Sequence, residues 1–119
     1  MVVLKVTPDR RVIRIDIPAE NLREAIGGDY RLHKVPREKN GIGDYVILFT
    51  DSGKFNLLAS KLTFNAFHVF GNALICGIEP EGIAGVTDEL AEALSRVILI
   101  YWDPVYVDLR LKKEVEGND

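Results

Sequence analysis

Tyr45-Val46-Ile47-Leu48-Phe49 is apolar at all five positions. Successive side chains of a strand point to opposite sides of its sheet, so a half-buried strand alternates apolar and polar residues. A run without alternation is expected of a central strand buried on both faces. Ala73-Leu74-Ile75-Cys76-Gly77-Ile78 is a second run of this kind. At 119 residues the chain is about one domain in length, enough to bury roughly two-thirds of the surface of the unfolded chain. A single domain is expected over residues 1–111. Residues 112–119, nearly all polar or charged, are expected to fray as a tail.

Other segments alternate. Val2, Leu4 and Val6 interleave with Val3, Lys5 and Thr7, and Ile13, Ile15 and Ile17 with Arg14 and Asp16. With Thr7-Pro8-Asp9-Arg10 as a turn, they predict a hairpin. Pro18 suits a helix start, Leu22, Ala25 and Ile26 follow at helical spacing, and Gly27-Gly28 stops the helix. Residues 30–35 alternate as a third strand, and residues 36–43 read as a loop. Asp51-Ser52-Gly53-Lys54 is expected to turn a hairpin, with a short return strand over residues 55–58. Residues 59–67 fit a loop, a helical turn or a hairpin arm. Thr87 is the expected N-cap of the clearest helix, with Asp88 and Glu89 at its positive dipole end. Leu90, Leu94, Val97, Ile98 and Tyr101 form its apolar stripe, although residues 97–102 also fit a strand. Residues 105–111 alternate as a last strand. The expected class is α+β: a mostly antiparallel twisted sheet of five to seven strands with two helices on one face.

Charge and cysteine usage narrow the function. Net charge is −3, but residues 1–40 carry nine Lys/Arg against six Asp/Glu, and residues 41–119 carry six against twelve. The most basic stretch is residues 31–39, and a solvated strand face running into a loop explains it better than a phosphate-binding surface. One cysteine makes no internal disulfide. No signal-peptide pattern opens the chain, and no run approaches the ~20 apolar residues of a membrane span. A cytoplasmic protein is expected.

Candidate chemistry is sparse. Cys76 and His68 lie in Phe67-His68-Val69-Phe70-Gly71-Asn72-Ala73-Leu74-Ile75-Cys76-Gly77. In one extended strand they are roughly 26 Å apart, at ~3.3 Å per residue. Only a three-residue loop at Gly71-Asn72-Ala73 places them opposite each other. Cys76 has apolar neighbours, where a thiol is inert. No catalytic residue, metal site or cofactor is expected. Gly82, Gly85 and Thr87 lie between a strand and the best helix, a context for anion binding, although the Gly-x-Gly-x-x-Gly spacing is missing and Glu79 and Glu81 oppose phosphate. Arg31, His33 and Lys34 are the alternative ligand-binding residues. Trp102 and Tyr106 are candidates for an interaction surface, since Tyr and Trp are enriched at interfaces. Phe64, Phe67 and Phe70, spaced by three, fit either a helix face or part of the core, and the core is favoured for most of these aromatics.

The order of short motifs resembles a known family. An apolar strand ends in Asp51-Ser52-Gly53-Lys54-Phe55-Asn56-Leu57. Asn65 follows, then Gly71-Asn72-Ala73-Leu74-Ile75-Cys76-Gly77 and a Thr-Asp-Glu helix start at Thr87, with Ile26-Gly27-Gly28-Asp29-Tyr30 upstream. Over roughly residues 2–100 this resembles the phage and bacterial mobile-element family termed domain of unknown function 3846. The resemblance implies a compact α+β accessory domain and brings no catalytic residues. The expected function is a non-enzymatic protein-interaction module. The alternative is a small-ligand or nucleotide-binding domain using the 79–87 turn or the 31–39 stretch. The expected partner is another protein, or a second copy paired through residues 105–111; membrane and nucleic acid are not expected.

Overall fold

A computed structural model describes residues 1–64, 66–101 and 106–113, with side chains described as far as residue 98. Asn65, Trp102, Val105 and most of the expected tail lie outside the described residues. The architecture is α+β. Six strands lie in the order β3-β4-β5-β1-β2-β7, and a short β6 pairs with the end of β5. They are β1 (Val2–Val6), β2 (Arg11–Asp16), β3 (Arg31–Val35), β4 (Tyr45–Asn56), β5 (Val69–Glu79), β6 (Gly82–Ala84) and β7 (Tyr106–Lys113). All pairs are antiparallel except β2–β7. The helices are α1 (Leu22–Ile26), α2 (Arg37–Asn40), α3 (Leu57–Leu62) and α4 (Asp88–Tyr101), and one 3-10 turn, Ala19–Asn21, leads into α1.

The two apolar runs are the sheet's centre. Tyr45, Ile47, Phe49, Ala73 and Ile75 face one core, which α3 closes with Leu58, Ala59 and Leu62 and α4 with Ala91, Leu94 and Ile98. Val46, Leu48, Leu74 and Cys76 face the other, with Leu22 and Ile26 of α1. Thus α3 and α4 share a face, and α1 lies on the opposite one. A strand apolar at every position needs cover on both sides, and the sequence places α1 directly after β2, where it can provide it.

Several local readings hold. β1 and β2 form the hairpin, with Val2 opposite Asp16 and Val6 opposite Val12. Gly27 ends α1 in the left-handed conformation, its amide donating to the Arg23 carbonyl. The Leu90 amide donates to the Thr87 hydroxyl at 3.1 Å, which caps α4. That helix continues through Tyr101, settling residues 97–101 as helix. Residues 69–79 are one strand. Lys112 and Lys113, expected in the tail, belong to β7, and residues 36–43 contain the single turn of α2.

The predicted hairpin at Asp51-Ser52-Gly53-Lys54 does not form. Thr50 and Phe55 both pair with Phe70, so the four residues between them bulge out while β4 keeps its direction to Asn56. No strand returns over residues 55–58, because the Asn56 side chain accepts the Ala59 amide at 3.0 Å and starts α3. The bulge depends on a close backbone approach. Gly71 has φ +75°, and a Cβ there would lie 2.5 Å from the Ser52 carbonyl oxygen, so glycine is required on steric as well as conformational grounds.

Asn56 is fully buried and ties four elements together. Its Nδ2 donates to the carbonyls of Val6 (2.9 Å) and Gly71 (2.7 Å). Ser60 Oγ donates to the Asn56 carbonyl at 2.7 Å and accepts the Val69 amide at 2.7 Å. The Tyr45 hydroxyl donates to the Leu62 carbonyl at 2.8 Å. Buried polar groups survive in a core only when satisfied in this way.

Candidate functional site

The thiol and imidazole of the central stretch do not meet. Cys76 is fully buried in the α1-side core, and burial pushes its thiol up to about 12, where it is a small apolar group rather than a nucleophile. His68 precedes the same unbroken strand and packs edge-on against Phe55, with ring centroids 5.3 Å apart. Tyr45, the other buried titratable group, is likewise raised by burial and serves as a hydrogen-bond donor to the backbone.

The basic stretch is divided by its own strand. Directly opposed residues share a face, so Arg31 and His33, opposite Phe49 and Ile47, lie on the α3/α4 side, whereas Leu32 and Lys34, opposite Leu48 and Val46, lie on the α1 side. Arg31 forms an ion pair with Asp51 at 2.5 Å. His33 packs edge-on against Phe67 at 4.9 Å. Burial, and then the Lys39 ammonium, hold its imidazole below the ordinary value. The three residues do not converge on one ligand.

The strand-to-helix turn does open a groove. Gly85 and Thr87 line it with Gly77, Ile78 and Glu79 of β5, residues 42–44, and Glu89, Leu90 and Ala93 of α4, around a volume of about 420 Å³. Asp44, Ile78 and Glu79 continue it into a second stretch of about 620 Å³ that holds Gly82 and Lys34 with Glu38. Gly77 has no alternative here, since a Cβ would sit 2.5 Å from the Gly85 carbonyl oxygen. The Thr87 hydroxyl is engaged as a helix cap, and Asp88 and Glu89 offset the helix dipole. Carboxylates dominate the rim, which opposes a phosphate at this turn.

The sequence reading missed an aromatic surface. Among the described residues the large apolar side chains left exposed are Leu32 (48%), Phe55 (43%) and Phe70 (36%). Val69 belongs to the α3/α4-side core, so its neighbour Phe70 points to the other side, and Phe55 pairs with Phe70. Leu32 and Phe70 therefore lie on the α1 side, whereas Phe55, at the end of β4, also lines a hollow with Leu57, Ser60 and Lys61 of α3 and residues 66–68. Phe55 and Phe70 are in edge contact at 5.8 Å. Only Phe64 and Phe67 of the triple spaced by three pack against the core. The alternation of Phe55 with Asn56 was the available signal, and the false hairpin obscured it. Trp102 lies outside the described residues, and Tyr106 opens β7 opposite Arg11.

Among the described residues no three His, Cys, Asp or Glu side chains are grouped to hold a metal ion, and no helix is long and apolar enough to cross a membrane. No protein-family model, curated protein or solved structure matches this chain.

Proposed function

We propose that the chain is a non-enzymatic protein-interaction module, an accessory domain of the kind implied by its resemblance to the phage and mobile-element family, working in the cytoplasm. One observation carries this reading: Phe55 and Phe70 are exposed and in edge contact with each other. Exposed aromatic residues gathered on one surface are the usual mark of a binding patch. A partner suited to it presents an apolar surface to the rings. The thiol–imidazole pair of the central stretch does not form, because Cys76 is buried. A nucleotide at the 79–87 turn is the lesser reading, because Asp44, Glu79 and Glu89 surround that turn.

The test is capture of host proteins by the tagged chain, compared with the Phe55→Ser/Phe70→Ser variant. A specific partner retained by the parent and lost by the folded variant supports the reading. Equal capture by both overturns the aromatic patch as the docking surface. A homodimer is a second partner reading, since β7 ends the order of described strands and pairs only with β2 among them, leaving an edge for a further strand. Light scattering at high concentration checks it, and a monomeric mass overturns it.

A further inference from the structure

The groove at the end of the sheet has a composition that selects a different ligand from the aromatic patch. Its apolar surface comes from Ile42, Ile78, Leu90 and Ala93, and Asp44, Glu79 and Glu89 supply carboxylates. Among the described residues no lysine, arginine or histidine lines this part; Lys34 and Glu38 both line the adjoining stretch. On α4, Asp88 is matched by Arg14 and Glu92 by Arg96. Among the described residues neither Glu79 nor Glu89 has such a partner, and Asp44 accepts only the Arg37 amide, at 2.8 Å.

We propose that this groove docks a basic segment of a partner protein, with an arginine or lysine side chain lying in it. The side chain fits both chemistries of the groove: its methylenes cover the apolar surface while its charged head reaches the carboxylates. The carboxylates do not converge tightly enough to hold a metal ion, whereas an elongated cation meets them one at a time. The two stretches are continuous through Asp44, Ile78 and Glu79, so an extended chain has room to run along them. The negative rim also steers a basic segment toward the groove. This inference rests on the reading of the protein as an interaction module, but it uses a separate surface.

The probe is a capped Ala-Arg-Ala-Arg-Ala peptide, titrated by NMR into the isotope-labelled chain, with the citrulline counterpart as its neutral twin. Saturable shifts are expected at Gly77, Gly85 and Leu90. The Glu79→Gln/Glu89→Gln variant and the citrulline peptide are each expected to weaken binding about tenfold, and Glu81→Gln, outside the groove, by less than about twofold. Glu79 and Glu89 are exposed, and an unchanged thermal midpoint confirms that the variant folds. The Phe55→Ser/Phe70→Ser variant should bind the peptide as the parent does. Absent shifts, equal binding by the Gln variant, or an equal loss from Glu81→Gln overturns the proposal. So does tighter binding of spermidine at the same resonances, which assigns the groove to a small free cation. If the peptide instead depends on Phe55 and Phe70, the groove is excluded and the interaction reading stands.

Discussion

The two faces of the central sheet are covered in different ways. On the α3/α4 side, the apolar side chains of β4 and β5 meet two helices, and a buried polar scaffold of Asn56, Ser60 and Tyr45 pins α3 to the strands. On the α1 side, a five-residue helix and its 3-10 turn provide the helical cover. The buried residues of that core are all apolar, Cys76 among them. The difference teaches what fixes a helix against a sheet. Hydrogen bonds fix the position of α3 in direction as well as contact. The thinner side leaves Leu32 and Phe70 exposed, with Phe55 in edge contact with Phe70.

The sharpest way to break this contrast is Asn56→Leu. It strands the Val6 and Gly71 carbonyls and the Ala59 amide, and each buried unsatisfied group costs about 1–3 kcal/mol. A loss of about 3–5 kcal/mol is expected in urea unfolding; a loss below 1 kcal/mol would show that the scaffold is ornamental.

Cys76→Ser probes the apolar side. A hydroxyl without a partner in that core should cost about 1–3 kcal/mol, and Cys76→Ala less than Cys76→Ser. The thiol of the native protein should resist maleimide at pH 8, with labelling appearing only on unfolding. Rapid labelling of the folded chain would contradict the burial of Cys76.

The exposed rings should matter little to folding. Phe55→Ser/Phe70→Ser is expected to change stability by only about 0.5 kcal/mol per site. A much larger loss in thermal or urea unfolding would assign the rings to the core and remove them as a patch.

The smallest expected effect is a pH dependence from His33. Its folded-state value is lowered by burial and by Lys39, so the unfolded chain binds the proton more readily. The stabilising contribution is therefore present above the ordinary value of 6.5 and is lost as pH falls through the lowered one. His33→Gln should flatten this slope in unfolding curves between pH 7 and pH 5. An unchanged slope would place the titration elsewhere.

Local chemistry written in neighbouring residues was legible. The unbroken apolar runs marked the strands buried on both faces, Gly27 closed α1 and Thr87 capped α4, because each of these depends on residues adjacent in the chain. The bulge at residues 51–54 was not legible. Asp-Ser-Gly-Lys is good turn chemistry, and whether it reverses the chain depends on the pairing of Thr50 and Phe55 with Phe70 and on the approach of Gly71 to Ser52. Missing the bulge also hid Asn56 as a scaffold and Phe55 as a surface residue.

The groove shows the same division. The sequence by itself determined the glycines and acids of residues 77–89, the cap at Thr87 and the inertness expected of a cysteine in apolar company. Only the tertiary structure brought Ile42 and Asp44 against Glu79, Glu89 and Leu90, and only strand pairing decided which core Arg31 and Lys34 each face. Backbone propensity and burial pattern are carried by short stretches of chain. The shape and charge of a groove arise from residues far apart in sequence, whose proximity is fixed by the order in which the strands pair.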